Sequence, residues 1–338
     1  MNTQKGRRMF GGIDVGQKSV EILSKLEAYL SVYFGALVDK FVECFEQYVQ
    51  KITYMQQMGK KDAVAFINFS ILRTNILAKK HFLRIDAYNQ NWYSDRAECS
   101  SKYDVGEIYQ WLEKFESVLE AARKNLGGSL KLADLQALIF EESDKYLPYV
   151  AEIIRIGMKK AAETESYQKM NRHEVFVVCV GSFQDHSLIV YKEDITEKDA
   201  KAVKLHLQAK QQVYAYEICE KLDLSGGDYE DIKIMFSSYS GCDFTGSSFK
   251  KSIMIGNSFH NAVLKDTNFE HLQAFDIDFS GAVLENVSFK GAKLARISFV
   301  GAKLIHVQFE GAILLENLNF ENTELIETEV PAKQAVGR

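Results

Sequence analysis

From about residue 239 onward, large apolar side chains recur every five residues. They fall at Tyr239, Phe244, Phe249, Met254, Phe259, Leu264, Phe269, Phe279, Leu284, Phe289, Leu294, Phe299, Leu304, Phe309 and Leu314, with Ala274 the one weak member. Two places before many of these centres sits a smaller residue: Ala262, Ala282, Ala292, Ala302 and Ala312, with Ile277, Val287, Ile297 and Val307 between them. A period of five fits neither the 3.6 of a helix nor the 2 of a strand. It fits a chain that turns a corner every five residues and points the centre and its minus-two residue inward.

The segments Gly281-Ala-Val-Leu-Glu-Asn-Val-Ser-Phe289, Gly291-Ala-Lys-Leu-Ala-Arg-Ile-Ser-Phe299 and Gly301-Ala-Lys-Leu-Ile-His-Val-Gln-Phe309 resemble the pentapeptide-repeat family. The resemblance covers residues 235–326 and implies a right-handed quadrilateral β-helix, one pentad per side. Residues twenty apart then stack, roughly 4.8 Å from coil to coil. The outward column Lys250, Glu270, Lys290, Glu310 alternates in sign at that spacing, as do Lys265 and Glu285. Phe occupies two opposite sides of the rod and Leu the other two. After Leu314 the next centres are Phe320 and Leu325, so one residue is inserted near 315–319. The acidic stretch through Glu329 reads as a distorted last coil with a polar cap; a homodimer face at that end is the alternative.

The first 230 residues follow other periods. Leu23, Leu26, Leu30, Tyr33, Leu37, Phe41, Phe45, Tyr48, Ile52 and Met55 advance nine steps in 32 residues, about 3.6 per step, the stripe of an amphipathic helix. Further helices are predicted over 61–80, 105–125, 131–146 and 149–170, with Pro148 in a first turn and Gly127-Gly128 as a break. Asn89–Asp104 reads as a loop. Val175–Val180 and Leu188–Tyr191 read as a buried hairpin spanning about 174–192. A long helix over about 197–222, capped by Thr196 and ended by Ser225-Gly-Gly227, leads into the repeats and shields their first coil. The expected organisation is a flexible N-terminus (1–17), a mainly α-helical domain with a small hairpin (18–228), the β-helix (235–326) and a tail (327–338), an α+β multidomain chain.

Composition narrows the function classes. The 338 residues carry 41 Lys+Arg against 46 Asp+Glu, a net charge of −5, which gives no electrostatic reason to expect direct nucleic-acid binding. The length asks for more than one core. Five scattered cysteines with no Cys-x-x-Cys pair read as reduced thiols rather than a disulfide framework or zinc site. No window approaches the run of apolar residues that spans a bilayer, and no signal-peptide pattern opens the chain, so a cytoplasmic location is expected.

Candidate chemistry is sparse. Gly11–Gly16 (GGIDVG) resembles the first phosphate loop of actin-like and RNase H-like folds, but basic residues precede it and a helical pattern follows, so it reads as a chance match. The seven histidines show no metal-ligand spacing. No catalytic, cofactor-binding or metal-ligating residue is assigned. The expected function is a non-catalytic protein–protein interaction or scaffold role for the β-helix and helical domain, with a protein partner of unknown identity. An outward-facing apolar column, Val263 and Val283 one above the other with Ile305 nearby, is the candidate contact.

Two alternatives stand beside it. The resemblance implies a DNA-mimicking rod that binds DNA gyrase and protects it from quinolones or toxins. Residues 235–338 hold 12 acidic and 9 basic side chains, a net of −3. DNA as long as this rod, roughly 20–25 Å, carries more than about ten charges. The last alternative is an enzyme of unknown class in residues 1–230, whose mark would be a pocket gathering two titratable groups with shifted pKa values.

Overall fold

The structure is a computed structural model that describes residues 8–125, 131–183, 187–211 and 213–330. The chain divides into two compact units, Met1–Asp194 and Ile195–Arg338. The fold class expected from the sequence is present: a helical N-terminal unit with a hairpin, then a β-helix.

In the first unit, a hairpin of two-residue strands, β1 (Met9–Phe10) and β2 (Ile13–Asp14), leads into α1 (Val15–Gln57). Asp14 is the N-cap of α1, accepting from the Gln17 amide at 3.0 Å, so the acid of the GGIDVG segment has a structural role. Most of the 3.6-period stripe is buried on α1, and Tyr33 is its exposed member. Then come β3 (Val64–Ile71), α2 (Arg73–Leu77), β4 (Phe82–Tyr88), β5 (Ser100–Asp104), α3 (Gly106–Asn125), α4 (Leu132–Ser143), α5 (Leu147–Ala161), α6 (Glu165–Lys169), β6 (Arg172–Ser182) and β7 (Ser187–Asp194). Pro148 does sit in the first turn of α5. The Gly127-Gly128 break lies outside the described residues.

The hairpin β6–β7 belongs to a five-stranded sheet of order β5-β4-β3-β6-β7, in which only β3 and β6 run parallel. Phe41 and Phe45 of α1 pack on Phe69 of β3, with ring centroids 5.7 and 6.3 Å apart. α5 approaches α1 closely because Gly157 leaves room for the Phe41 ring, which a Cβ there would meet at 2.2 Å.

Three sequence expectations are corrected. The helix expected over 61–80 is strand β3 followed by the one-turn α2. β3 is a central strand buried on both faces, which removes the alternation that marks a strand. The loop expected over 89–104 ends in β5, an edge strand in which only Tyr103 is buried. The helix expected over 197–222 is only nine residues, α7 (Ala200–Gln208), capped by Asp199 rather than Thr196.

The second unit is a four-sided coil. Six parallel strands line its first side: Val213–Ala215, Lys233–Met235, Ile253–Ile255, Gln273–Phe275, Lys293–Ala295 and Ile313–Leu314. Neighbours pair at a spacing of twenty, as in Ile253 with Gln273 and Val263 with Val283. The coil therefore begins at Val213, not near 235; Tyr214, Cys219, Leu224, Tyr229 and Ile234 already hold the five-residue register and are buried. The inserted residue is present: Ile297 pairs with Leu318 and Lys303 with Glu324, both at 21.

Side chains fill the rod in columns. Tyr239, Phe259, Phe279, Phe299 and Phe320 stack on one side at 5.1–5.6 Å. Tyr229, Phe249, Phe269, Phe289 and Phe309 stack on the opposite side at 4.9–5.3 Å. The two columns meet edge to face, as Phe279 and Phe289 do at 6.1 Å and 75°. Leu264, Leu284, Leu294, Leu304 and Leu314 bury the remaining sides. In the early coils several minus-two positions are polar and satisfied by the coil below. Asn257 donates to the Ile234 carbonyl at 3.0 Å, Ser252 to Tyr229 at 2.9 Å and Thr267 to Phe244 at 3.1 Å.

The two ends differ. At the start, α7 buries Leu207 against the first coil, and Tyr214 donates to the His206 carbonyl at 2.7 Å. At the other end, Ile313, Leu315, Leu325, Ile326 and Val330 are each 36–42% exposed.

Two outcomes test this packing. The Tyr239 hydroxyl is buried with no hydrogen-bond partner, and burial raises its pKa well above the usual value, whereas Tyr229 donates to the Leu224 carbonyl at 2.9 Å. Tyr239→Phe is expected to stabilise the coil by about 1 kcal/mol and Tyr229→Phe to destabilise it by a similar amount, read by urea unfolding. Equal effects of the two would remove this account.

In the first unit, Lys61 Nζ is fully buried and donates to the Ala87 and Ala97 carbonyls and to Asp95 at 2.6–2.7 Å. Lys61→Ala is expected to destabilise the unit by about 3–5 kcal/mol, because it strands Asp95. Burial pushes the Asp95 carboxyl up, but hydrogen bonds from Lys61 and the Asn89 and Ala97 amides outweigh it and hold the carboxyl below its ordinary value. Its contribution is therefore complete above about pH 4, the unfolded value, and is lost as pH falls through the lower folded one. A pH series of thermal melts on wild type and Lys61→Ala checks this.

Candidate functional site

Because each coil repeats the same four sides, the surface of the rod reads as columns, two or three to a side. Side four carries the charge ladder anticipated from the sequence. Lys250 meets Glu270 at 2.8 Å and Lys290 meets Glu310 at 3.1 Å. Side three adds Lys265 with Glu285 at 3.0 Å. At the corner after side one, Arg296 grips Asp276 through two bonds of 2.5 and 2.7 Å and reaches Glu316 at 2.6 Å. Side two is lined with hydroxyls, and Ser280 pairs with Ser298 at 2.9 Å.

The sequence-derived contact residues lie on side three. Val263 and Val283 are half-buried and stacked, but the column runs from Asp243 below them to Lys303 above. Ile305 stands in a different column, between Glu285 and Ile326. The three do not form one continuous apolar strip.

A longer strip lies on side one. Ala215, Met235, Ile255, Phe275 and Ala295 are paired neighbours up the rod, and Leu315, 41% exposed, follows in the next coil. Every position of this column is apolar over six coils; Met235, Ile255 and Phe275 are partly exposed, and Ala295 is buried. Beside it, the Tyr216 and Phe236 rings stack at 5.4 Å, and the Phe236 ring lies where a Cβ on Gly256 would fall, 2.6 Å away. Ile253 is the next outward position on the same strand. Lys233 and Lys293, also outward on side one, are exposed and have no ion pair among the described residues. Reading the sequence at intervals of twenty from Ala215 would have found the strip; beginning the coil at 235 and attending to charged columns concealed it.

Two cavities of the first unit are lined by described residues. One, of about 530 Å³, is lined by Leu72, Phe82, Arg84, Ser100, Ser101 and Lys102. The other, of about 380 Å³, is lined by Glu46, Gln50, Thr53, Tyr54, Gln57, Glu165, Ser166 and Lys169. Hydrogen bonding to Asp86 holds the Arg84 guanidinium charged, and Lys169 lowers the Glu165 carboxyl. Among the described residues, no group of three or more His, Cys, Asp or Glu side chains is arranged to hold a metal, and no helix is long and apolar enough to cross a membrane.

The exposed charge ladder sets register more than stability. Arg296→Ala is expected to lower the unfolding free energy of the coil by less than about 1 kcal/mol, and by less still in high salt. Urea titrations at low and high salt measure it; a loss of several kcal/mol would show that the ladder holds the rod together.

The family profile described as Pentapeptide repeats matches residues 240–271 and 277–314, in eight copies. Among solved structures, the chain is similar to the pentapeptide repeat protein Rfr23 from the cyanobacterium Cyanothece, at 18% identity over 36% of this chain and 95% of that one, with a TM-score of 0.29. It is similar to full-length QnrB1, a plasmid-mediated fluoroquinolone resistance protein, at 13% identity over 34% of this chain and 78% of that one, TM-score 0.20. It is also similar to a pentapeptide repeat protein from the thylakoid lumen of Arabidopsis thaliana, at 18% identity over 35% and 72% of the two chains, TM-score 0.14. No curated protein matches the sequence. Register, corner spacing and the family match agree: residues 240–314 are pentapeptide repeats, part of a β-helix that begins at Val213.

Proposed function

We propose that this chain is a non-catalytic interaction protein whose β-helix presents a protein partner with the apolar strip of side one. The observation that supports this reading is the column from Ala215 to Leu315, which is apolar at every coil and reaches the surface at Ala215, Met235, Ile255, Phe275 and Leu315. The unpaired Lys233 and Lys293 favour a partner segment that is apolar with an acidic margin. A rod with a fixed ladder binds without ordering its own backbone, so little affinity is lost to conformational entropy. The weaker contact, Val263 and Val283 on side three, serves as the comparison.

Mimicry of duplex DNA toward gyrase is the alternative, and the charge distribution speaks against it. Duplex DNA carries uniform negative charge, one per roughly 1.7 Å. Between 213 and 330 the rod carries 18 acidic and 9 basic residues, but these are uneven. Residues 233–308, the central coils, hold 6 acidic against 8 basic side chains, a net of +2. The acids concentrate at 217–231 and 310–329 instead.

Crosslinking and affinity purification of the full chain from its native cell should recover a partner that Phe275→Lys loses and Val283→Lys keeps, with thermal unfolding of both variants close to wild type. Retention of every partner by Phe275→Lys and by Ile255→Lys would sink the side-one reading. Stoichiometric protein is expected to leave gyrase supercoiling unchanged; inhibition would promote the alternative.

A further inference from the structure

A second surface, in the first unit, has a chemistry that the rod does not explain. On the face of the sheet opposite Ile67, Phe69, Leu83 and Ile85, strands β3, β4 and β6 place Asn68, Ser70, Arg84, Asp86 and Cys179, a polar row where the helix-facing side is apolar. Asp86 is 3% exposed and holds Arg84 Nε at 2.8 and 2.9 Å, while Glu98, at the surface, takes a terminal nitrogen at 3.1 Å. The pairing of β4 with β5 then sets Lys102 directly opposite Arg84. Like charges facing each other across an antiparallel pair are destabilising. Lys102 has no carboxylate partner among the described residues; its ammonium lies 4.5 Å from the Phe82 ring centroid.

These two cations border the cavity of about 530 Å³, whose lining is completed by Ser100, Ser101, Phe82 and Leu72. That volume is in the range of small-molecule sites. The lining offers two cations and the Ser100 hydroxyl on one part and an aromatic and an aliphatic side chain on another, with no carboxylate among them, while Ser101, paired with Ile85, alternates to the other face of β5. Neither serine hydroxyl makes a hydrogen bond with a described residue, and the second terminal nitrogen of Arg84 is likewise unused.

We propose that this groove binds a small organic anion, a phosphate or carboxylate carried on an apolar body. The anionic head lies between Arg84 and Lys102, relieving their repulsion and taking the free donors, and the body rests against Phe82 and Leu72. The buried Asp86 keeps Arg84 aimed while its remaining nitrogen faces the ligand. This site is independent of the interaction role assigned to the rod.

The test is calorimetric titration of the full chain with phenyl phosphate, benzoate, inorganic phosphate and phenol. At least one of the first two is expected to bind about tenfold or more tightly than either inorganic phosphate or phenol, since only they satisfy both parts of the lining. The stronger of the pair identifies the head group. Lys102→Glu places a carboxylate opposite Arg84, so it is expected to fold at least as stably as wild type and to weaken anion binding by about tenfold or more. Lys251→Glu, on the β-helix, is expected to leave binding unchanged. Absence of anion binding, phenol binding as tightly as the anions, or equal affinity in wild type and Lys102→Glu would each overturn the proposal.

Discussion

A left-handed backbone corner every five residues is the constraint from which the β-helix follows. Positive φ recurs at Tyr216, Lys221, Gly226, Asp231 and every fifth residue through Gly311, then resumes at Asn322 and Glu327 after the inserted residue. For residues other than glycine this region costs about 1–2 kcal/mol each, and the rod adopts it repeatedly with Lys, Asp, Asn, His and Arg. What holds those corners is the ladder on either side, in which amides and carbonyls are paired with the coils above and below. The corners also pack on one another. Asn261 lies beneath Gly281, where a Cβ would come within 2.2 Å of its Oδ1, and His271 lies beneath Gly291 in the same way. At these corners a large residue is accommodated by a glycine one coil on, whereas at others, such as Asp276 and Arg296 or Asp266 and Asn286, one side chain follows another at the spacing of twenty.

That spacing explains which parts of the fold were legible in the sequence. Where inward positions are Phe and Leu, the period of five is visible by inspection, and the charge ladder confirmed four sides rather than three. The first coils were hidden because their centres are Tyr214, Cys219 and Leu224 among charged residues, a composition that also suits a helix. In the first unit, the amphipathic stripe of α1 was readable because one face is wet. β3 was not, since a strand covered on both faces loses its alternation, and β5 was not, since an edge strand buries only Tyr103. The groove residues Arg84 and Lys102 are eighteen positions apart in the sequence and become neighbours only through strand pairing. No local motif announces such a site.

The core of the rod changes character along its length. The early coils place Ser237, Ser247, Ser252, Asn257 and Thr267 at the minus-two positions, and the later ones place Ile277, Ala282, Val287, Ala292 and Ile297 there. The polar set is tolerated because a residue at that position lies within reach of a carbonyl twenty-three residues back, as Ser247 does with Leu224 and Asn257 with Ile234. A buried hydroxyl without that partner would cost about 1–3 kcal/mol. Polar coils are held by directional bonds and apolar coils by packing, so the same backbone is reached through two different balances of forces.

Outward positions carry no such obligation, and this is what gives the surface columns their meaning. An outward residue contributes nothing to the core, so its chemistry is free unless something else fixes it. On side four, sign alternation is explained by register, since a shift by one coil would bring like charges together. On side two, serines bond to neighbouring serines. On side one, neither explanation applies: Met235, Ile255 and Phe275 make no ion pairs or hydrogen-bond ladders through their side chains, and a polar residue there would leave the ladder intact. Apolar side chains at a position the fold leaves free keep apolar surface against water, a cost that neither register nor hydrogen bonding along the rod offsets.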